Sequence, residues 1–334
     1  MSARRTWALV LASVALALAG CAEQPLPEPS PRPAQEIVPV ATGDQIDAVL
    51  ERVGSTLAPA DESLDPAALA AAVDGPALAQ RTGAYLVQQR DPTQEFAVGL
   101  GTKRLQDVVP ADQGWPRTLL TVTRSTPQDE APDLMLLTQA AARAPFMLTA
   151  YTEMSGGTTL PLTEPIRDGV AVRAGDDGKG LALSPVEAVQ GYADVLTKGS
   201  ASPSAATFAE SAFTQNMVKV QDDARRALTV DCEGCFGYEA THAPQADQLW
   251  AFSTQDGGAL VMAAMDARMK ITANNGFKTD LQAEFKAVSG ATTITKVGEF
   301  AHIEVVALYI PPAGADALVQ VLGVDRVPVS GKVS

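Results

Sequence analysis

The sequence has 334 residues, which is enough for two ordinary domains, and it carries 25 basic and 39 acidic side chains for a formal net charge of −14. An acidic surface of this size is repelled by phosphate backbones and by anionic lipid headgroups. Nucleic acid is therefore excluded as an expected partner, and a membrane contact through a basic patch has no support.

The first predicted element is an export signal at residues 1–20. Arg4 and Arg5 precede an uncharged apolar run that is shorter than the roughly 20 residues of a spanning helix and fits a signal peptide. The run ends in the letters LAGC, similar to the lipobox of bacterial lipoproteins, in which the cysteine thiol is joined to a diacylglyceryl group. Cys21 is the predicted lipidation site. The alternative is an ordinary secretory signal followed by an incidental cysteine.

A proline-rich tether is predicted after the anchor, at residues 21–41. Six prolines between residues 25 and 39 favour extended polyproline II and prevent a helix or a sheet interior. Because two acyl chains hold a protein stably at a bilayer, the expected location is the extracytoplasmic face of the cell membrane.

The first folded domain is expected at residues 42–178 and begins with helices. Thr42 and Gln45 form a capping-box pattern, Asp65-Pro66 starts a short helix, and Asp74-Gly75-Pro76 starts another. Strand candidates follow at 117–124, 133–143 and 145–154, separated by turns that contain proline or aspartate.

The second domain is expected at residues 179–334 and repeats this order. Ser184, Pro185 and Glu187 form the strongest helix start in the sequence, and Ser204 is predicted to cap a longer helix that runs to about Leu228. The strand candidates after it are 248–255, 258–271, 300–310 and 317–324, with a hairpin turn at 255–258.

Helices followed by an antiparallel sheet, twice over, predict the α+β class with two tandem domains. One long α+β domain with scattered helices is the competing prediction. The order of elements is similar to the cone-shaped fold of nuclear transport factor 2 and ketosteroid isomerase, a likeness of fold that assigns no function.

Cys232 and Cys235 form a Cys-x-x-Cys pair in the stretch DCEGCF. A redox pair normally opens a helix, whereas this pair follows one, and Asp231 and Glu233 disfavour a thiolate. Export makes oxidation the default state, so the prediction is a local structural disulfide, with thiol redox chemistry and a metal site as alternatives.

No residues are predicted to bind a metal or another cofactor, and none is assigned a catalytic role. His242 and His302 belong to no zinc-binding pattern, and Asp176-Asp177 indicates a solvated turn. Sequences for a nucleophile elbow, a phosphate loop and a dinucleotide fold are absent. Acidic residues of the second sheet that could serve a pocket enzyme are Asp266, Glu299 and Glu304, with none singled out.

Four phrases together carry a family resemblance: DGPALAQRTGAYL (74–86), WPRTLLTVT (115–123), LSPVEAVQGYADVLTKG (183–199) and DGGALVMAAM (256–265). With the lipobox in front, the chain resembles an uncharacterised family of actinobacterial secreted lipoproteins that share a domain of unknown function. The resemblance covers nearly all of 42–330. It implies a lipid-anchored extracytoplasmic location and no reaction.

The expected function is that of a non-enzymatic envelope lipoprotein. It is anchored to the membrane by its diacylglyceryl group and binds an envelope protein or a small apolar ligand. One alternative is a pocket protein or enzyme of the cone-fold type, which an open pocket with a desolvated carboxylate would favour over a sealed core. The other is a thiol oxidoreductase that uses Cys232 and Cys235.

Overall fold

The structure, a computed structural model, describes residues 38–94, 96, 99–111, 114–124, 131–158, 160–161 and 178–334. The predicted signal peptide, Cys21 and the tether up to residue 37 lie outside these ranges, as does Asp176-Asp177. Residues Ile37–Ser334 form one compact unit.

The first helices begin where their capping residues predict. Helix α1 spans Gly43–Ser63, and Thr42 and Gln45 make both hydrogen bonds of the capping box at its start. A 3₁₀ helix spans Pro66–Ala71, and Asp65 accepts a hydrogen bond from the amide of Ala67 at its start. Helix α2 spans Gly75–Arg90.

Four antiparallel strands follow and form a sheet that we call sheet A. Their order in the sheet is the order in the chain. Strand β1, which the sequence did not reveal, pairs with β2. The strands are β1 Lys103–Val108, β2 Arg117–Arg124, β3 Asp133–Gln139 and β4 Phe146–Glu153.

The second helical segment confirms one predicted cap and corrects another. Helix α3, Pro185–Lys198, starts at the predicted capping box of Ser184 and Glu187. The prediction that Ser204 caps the next helix was wrong, because only a three-residue 3₁₀ turn follows it. Helix α4 instead spans Ala212–Arg225 with Ser211 as its cap, and a π-helical turn, Arg226–Val230, extends it.

A second antiparallel sheet, sheet B, has the order β10-β9-β6-β5. Its strands have 14 to 18 residues, whereas those of sheet A have 6 to 8. The described elements are β5 Phe236–Ser253, β6 Ala259–Ala273, β9 Val297–Ile310 and β10 Gln320–Val333, together with the two-residue strands β7 Thr279–Asp280 and β8 Thr293–Ile294 and the short helix α5 Ala283–Ser289.

The two sheets pack face to face with helices on their outer faces. Alternate residues of each strand point to opposite faces, so each sheet contributes to two apolar layers. Helix α1 packs on the outer face of sheet A, and α3 packs on the outer face of sheet B. The layer between the sheets contains, among others, Leu120, Leu134, Leu136, Trp250, Phe252, Leu260, Met262, Val305, Ala307 and Leu322.

Sheet A and sheet B also meet at one corner, where β4 ends beside β10. Met154 forms an isolated antiparallel bridge with Gly323, and the amide of Ser155 donates a hydrogen bond of 2.7 Å to the carbonyl of Leu322. A Cβ atom at position 323 would collide with the carbonyl of Glu153, so this approach requires glycine.

This architecture confirms the predicted α+β class with two groups of antiparallel strands. The division at 178/179 and the likeness to the cone-shaped fold stay predictions. The expected boundary loop lies partly among residues 162–177, outside the described ranges.

Candidate functional site

A cleft of about 340 Å³ lies at the corner where the two sheets meet. One wall comes from the ends of β3 and β4, and the other comes from β10 and α4. The walls are largely apolar, and the side chains that supply this surface are Phe96, Leu100, Phe213, Met217, Val324 and Val327. A cleft of this size and lining suits a small molecule with an apolar body.

Three carboxylates interrupt the apolar walls: Asp133, Glu153 and Asp325. Asp133 and Glu153 are opposite each other on β3 and β4. The amide of Gly101 donates a 3.0 Å hydrogen bond to Asp133, and the amide of Glu153 donates a 3.3 Å hydrogen bond to Asp325. Burial raises the pKa of Asp325 to about 7, and the charges of Glu153 and Asp133 act in the same direction.

A buried arginine lies beneath this acidic side of the cleft. The side chain of Arg81, on α2, is fully buried, lies 3.0 Å from the carboxylate of Asp61 and stacks over the ring of Tyr151 at 5.2 Å. Tyr85 donates a 2.5 Å hydrogen bond to the same carboxylate. Burial raises the pKa of Tyr151 to about 12, so its hydroxyl stays protonated at neutral pH. These contacts hold Tyr151 in place as part of the cleft wall.

Behind the other wall, Arg326 links the cleft to a buried polar network in sheet B. Glu304, on β9, is fully buried, and its two oxygens lie 3.2 Å from Nε of Arg326 and 2.8 Å from Nδ1 of His242. Ala267 on β6 is paired with His242 on one neighbouring strand and with His302 on the other. Because the side chain of Ala267 is small, His242 can reach across β6 to Glu304. A buried carboxylate is stable only with such partners.

The remaining members of this network are His302 and Gln221. Nη2 of Arg326 lies 3.1 Å from Nδ1 of His302, and the amide of Gln221 lies 3.0 Å from Nε2 of His242. Burial lowers the pKa of His302 well below its ordinary value, and the charge of Arg326 lowers it further. His302 is therefore neutral at pH 7, and its Nδ1 accepts the hydrogen bond from Arg326.

The two parts of the site have different chemical capacities. In the network, Glu304 is fully buried, its charge is offset by Arg326 and one of its oxygens is hydrogen-bonded to His242, so this carboxylate is fixed in place rather than available to a ligand. Asp133, Glu153 and Asp325 line the cleft itself. These three are the acidic groups that a bound molecule would meet.

The predicted cysteine pair lies away from the cleft, between the π-helical turn and β5. The sulfurs of Cys232 and Cys235 are at disulfide distance, with Cα atoms 5.4 Å apart. The amide of Cys235 donates to the carbonyl of Cys232, and the carbonyl of Cys235 accepts from Asn274. The pair follows a helix, as the sequence predicted, and directly precedes β5.

Among the described residues, no group of three or more histidine, cysteine, aspartate or glutamate side chains is arranged to hold a metal ion. None of the helices among the same residues is long and apolar enough to cross a membrane. Asp266 and Glu299 lie outside the cleft and the network. Of the three acidic candidates in the second sheet, only Glu304 belongs to the site.

Sequence reasoning missed most of this site. Asp325 and Arg326 lie in the part of β10 beyond the predicted strand, and Asp133 and Glu153 were counted only as strand residues. One signal was present: His302 and Glu304 alternate with apolar residues in FAHIEVVALYI, and both side chains are buried. Two ionisable residues on one face of an otherwise apolar strand indicate a buried polar pair that needs partners.

Comparison with known proteins gives one match. A family model described as a domain of unknown function (DUF8094) matches residues 37–331, which includes every described element from α1 to β9 and most of β10. No curated protein and no solved structure matches the chain.

Proposed function

Since the chain belongs to the DUF8094 family, a domain of unknown function, we propose its role from its own residues: a lipid-anchored, extracytoplasmic binding protein without enzymatic activity. The anchor rests on the sequence up to Cys21, in particular on the cysteine directly after the apolar run. The ligand site is the cleft between the ends of β3 and β4 and strand β10.

The observation that carries the binding proposal is the composition of the cleft. Its apolar walls suit a hydrocarbon or ring, and its charged lining is three carboxylates against one arginine. That arginine, Arg326, already interacts with Glu304 and His302. Apart from the Tyr151 hydroxyl, the other ionisable groups that line the cleft are carboxyl groups, which favours a ligand with an apolar body and a positively charged group, such as an organic amine.

Isothermal titration with three probes of one length tests this preference. Octylamine, octanol and octanoate share the same apolar chain and differ in charge. We expect octylamine to bind at least about tenfold more tightly than octanoate, a difference of about 1.4 kcal/mol. Octanol should lie between them. Equal affinity for octylamine and octanoate would contradict the assigned charge preference.

A pair of variants localises the binding. Asp325→Asn removes a cleft carboxylate without changing its size and should weaken octylamine binding at pH 8. Asp316→Asn changes an exposed carboxylate outside the cleft and serves as the matched control. The cleft assignment fails if both variants bind octylamine as the unaltered protein does.

A second candidate function, a pocket enzyme, has one specific observation in its favour. Asp325 is a desolvated carboxyl in an open cleft, and a pKa of about 7 suits a general base at neutral pH. Such an enzyme would abstract a proton next to a carbonyl group. Ketones incubated with the protein in D₂O would then exchange that hydrogen for deuterium, and Asp325→Asn would abolish the exchange. Absence of exchange across a ketone panel favours the binding protein.

The thiol oxidoreductase alternative has less support. Cys232 and Cys235 precede a strand and do not open a helix, so no helix N-terminus stabilises a thiolate there.

A further inference from the structure

A second concavity, of about 450 Å³, lies on sheet B away from the cleft. All four long strands contribute to it, at the end of the sheet beyond the apolar layer that packs on sheet A. Eight of its side chains form two rows across the sheet. The first row is Glu239, Lys270, Glu299 and Lys332, and the second is Thr241, Arg268, Ala301 and Ser330.

The first row alternates in charge, so each lysine lies directly opposite a glutamate on a neighbouring strand. Cross-strand neighbours of opposite sign compensate each other's charge. The second row differs, because Arg268 has only hydroxyl groups and one alanine in its row. The small side chain of Ala301 leaves open space beside the guanidinium, between it and Ser330.

The concavity therefore has a positive balance in a strongly acidic protein. Its lining contains three cations, Arg268, Lys270 and Lys332, against two carboxylates, whereas the whole chain has a net charge of −14. None of these three cations forms an ion pair within 4.0 Å with any residue in the part of the chain that the structure describes. Arg268 is exposed and directed to solvent.

We propose that this concavity binds a small soluble anion of the phosphate type, with Arg268 as its principal contact. A guanidinium presents paired N–H donors that match two oxygens of a phosphate group. The hydroxyls of Thr241 and Ser330 lie in the same row and supply further donors. Lys270 and Lys332 add positive charge from the adjacent row.

Nearby carboxylates lower the affinity of the concavity for an anion, and this repulsion provides a specific test of the proposal. Glu239 and Glu299 lie in the adjacent row, and Asp266, two residues before Arg268, accepts a 2.7 Å hydrogen bond from Gln245. Each glutamate repels an anion bound at Arg268. Removing one of these charges should therefore strengthen binding, an effect that a purely structural row of charges would not produce.

Inorganic phosphate is the probe for this site, with affinity measured by titration of backbone amide resonances at low ionic strength. Arg268→Gln should weaken phosphate binding by about fivefold or more, because a charge-assisted contact is lost. Glu299→Gln should strengthen it by about twofold. Arg143→Gln, at an exposed position in the β3–β4 turn, is the matched control and should change nothing.

Two results would overturn the proposal. One is phosphate affinity that does not change in Arg268→Gln, provided that circular dichroism shows the variant folded. The other is binding of the protein, produced without its lipid, to phosphatidylglycerol vesicles but not to free phosphate. This site shares no residue with the cleft, so the outcome is independent of the octylamine experiments.

Discussion

Asp325 and Arg326 are consecutive residues of β10, and their side chains leave the strand on opposite faces. Asp325 receives a hydrogen bond from Glu153 at the end of sheet A, whereas Arg326 contacts Glu304 and His302 within sheet B. One dipeptide thus connects the acidic side of the cleft to the buried network. A change in the backbone of β10 at this point would affect both groups together.

Asp325 makes the stability of the protein depend on pH in a defined direction. Its pKa of about 7 in the folded state is above the ordinary aspartate value of 3.8, so between these pH values the folded state binds more protons than the unfolded state. The free energy of unfolding should therefore fall as pH rises through this range, by up to about 4 kcal/mol from this group.

Asp325→Asn should remove this dependence. Urea denaturation at pH 5 and pH 8 measures it: the variant should be more stable than the unaltered protein at pH 8 and similar at pH 5. Asp316→Asn, an exposed carboxylate, is again the control. If the variant is destabilised equally at both pH values, the prediction is wrong. That result would show that the hydrogen bond of Asp325 stabilises the folded state more than its charge destabilises it.

At the residue scale, the sequence predicts pairs that are close in the chain and misses those that the fold brings together. The capping pairs Thr42–Gln45 and Ser184–Glu187 are three residues apart, and local geometry determines their contacts. His242 and Glu304 are 62 residues apart. Their contact requires the register of three strands and an alanine between them, which no local pattern encodes.

At the scale of elements, a capping pattern predicts where a helix starts when the segment offers only one candidate cap. Helix α3 starts at its one predicted cap, Ser184, and it ends at Lys198, directly before Gly199. The error at α4 arose because Ser204 and Ser211 are both acceptable caps, and the apolar residues after each have helical spacing. Helix α5 was missed because it has seven residues and no side-chain cap.

Strand lengths in sheet B were underestimated for a related reason. Predicted strands stop where apolar alternation stops, but β5 and β10 continue with polar residues such as Glu239, Thr241, Ser330 and Lys332. These continuations are held by pairing with β6 and β9, not by burial of both faces. The missed lengths supply two of the four strands that line the anion-binding concavity.

The Cys232–Cys235 pair joins two elements, the π-helical end of α4 and strand β5. We expect mass spectrometry of the native protein to find this pair two hydrogens lighter than two free thiols. Replacing both with serine should lower the free energy of unfolding by about 2 kcal/mol, the loop-entropy value for so small a ring. Thiols that alkylate readily in the native protein would contradict this expectation.

For the whole molecule, the apolar layer between the sheets determines how the two halves depend on each other. Leu120, Leu134 and Leu136 of sheet A are fully buried, as are Leu260 and Val305 of sheet B. Separating the halves would expose both faces of this layer to water, at about 25 cal/mol for each Å² of apolar surface.

Residues 179–334 produced alone should therefore fold poorly or associate through the exposed face of sheet B. Size-exclusion chromatography and binding of a hydrophobic dye measure this directly, with the full folded region, residues 38–334, as the control. If the fragment is instead monomeric, does not bind the dye and unfolds cooperatively, the protein has two independent domains, as the sequence predicted.

The point where the chain enters the folded unit has a mechanical consequence. Val40 and Ala41 are buried beneath α1, and the amide of Val40 donates a 2.9 Å hydrogen bond to the carbonyl of Pro110. A pulling force applied through the residues before Val38 is transmitted first to this small contact and then to the start of α1, not to the strands of either sheet. Under tension, the entry segment should peel away at low force while the two sheets and the cleft between them keep their shape.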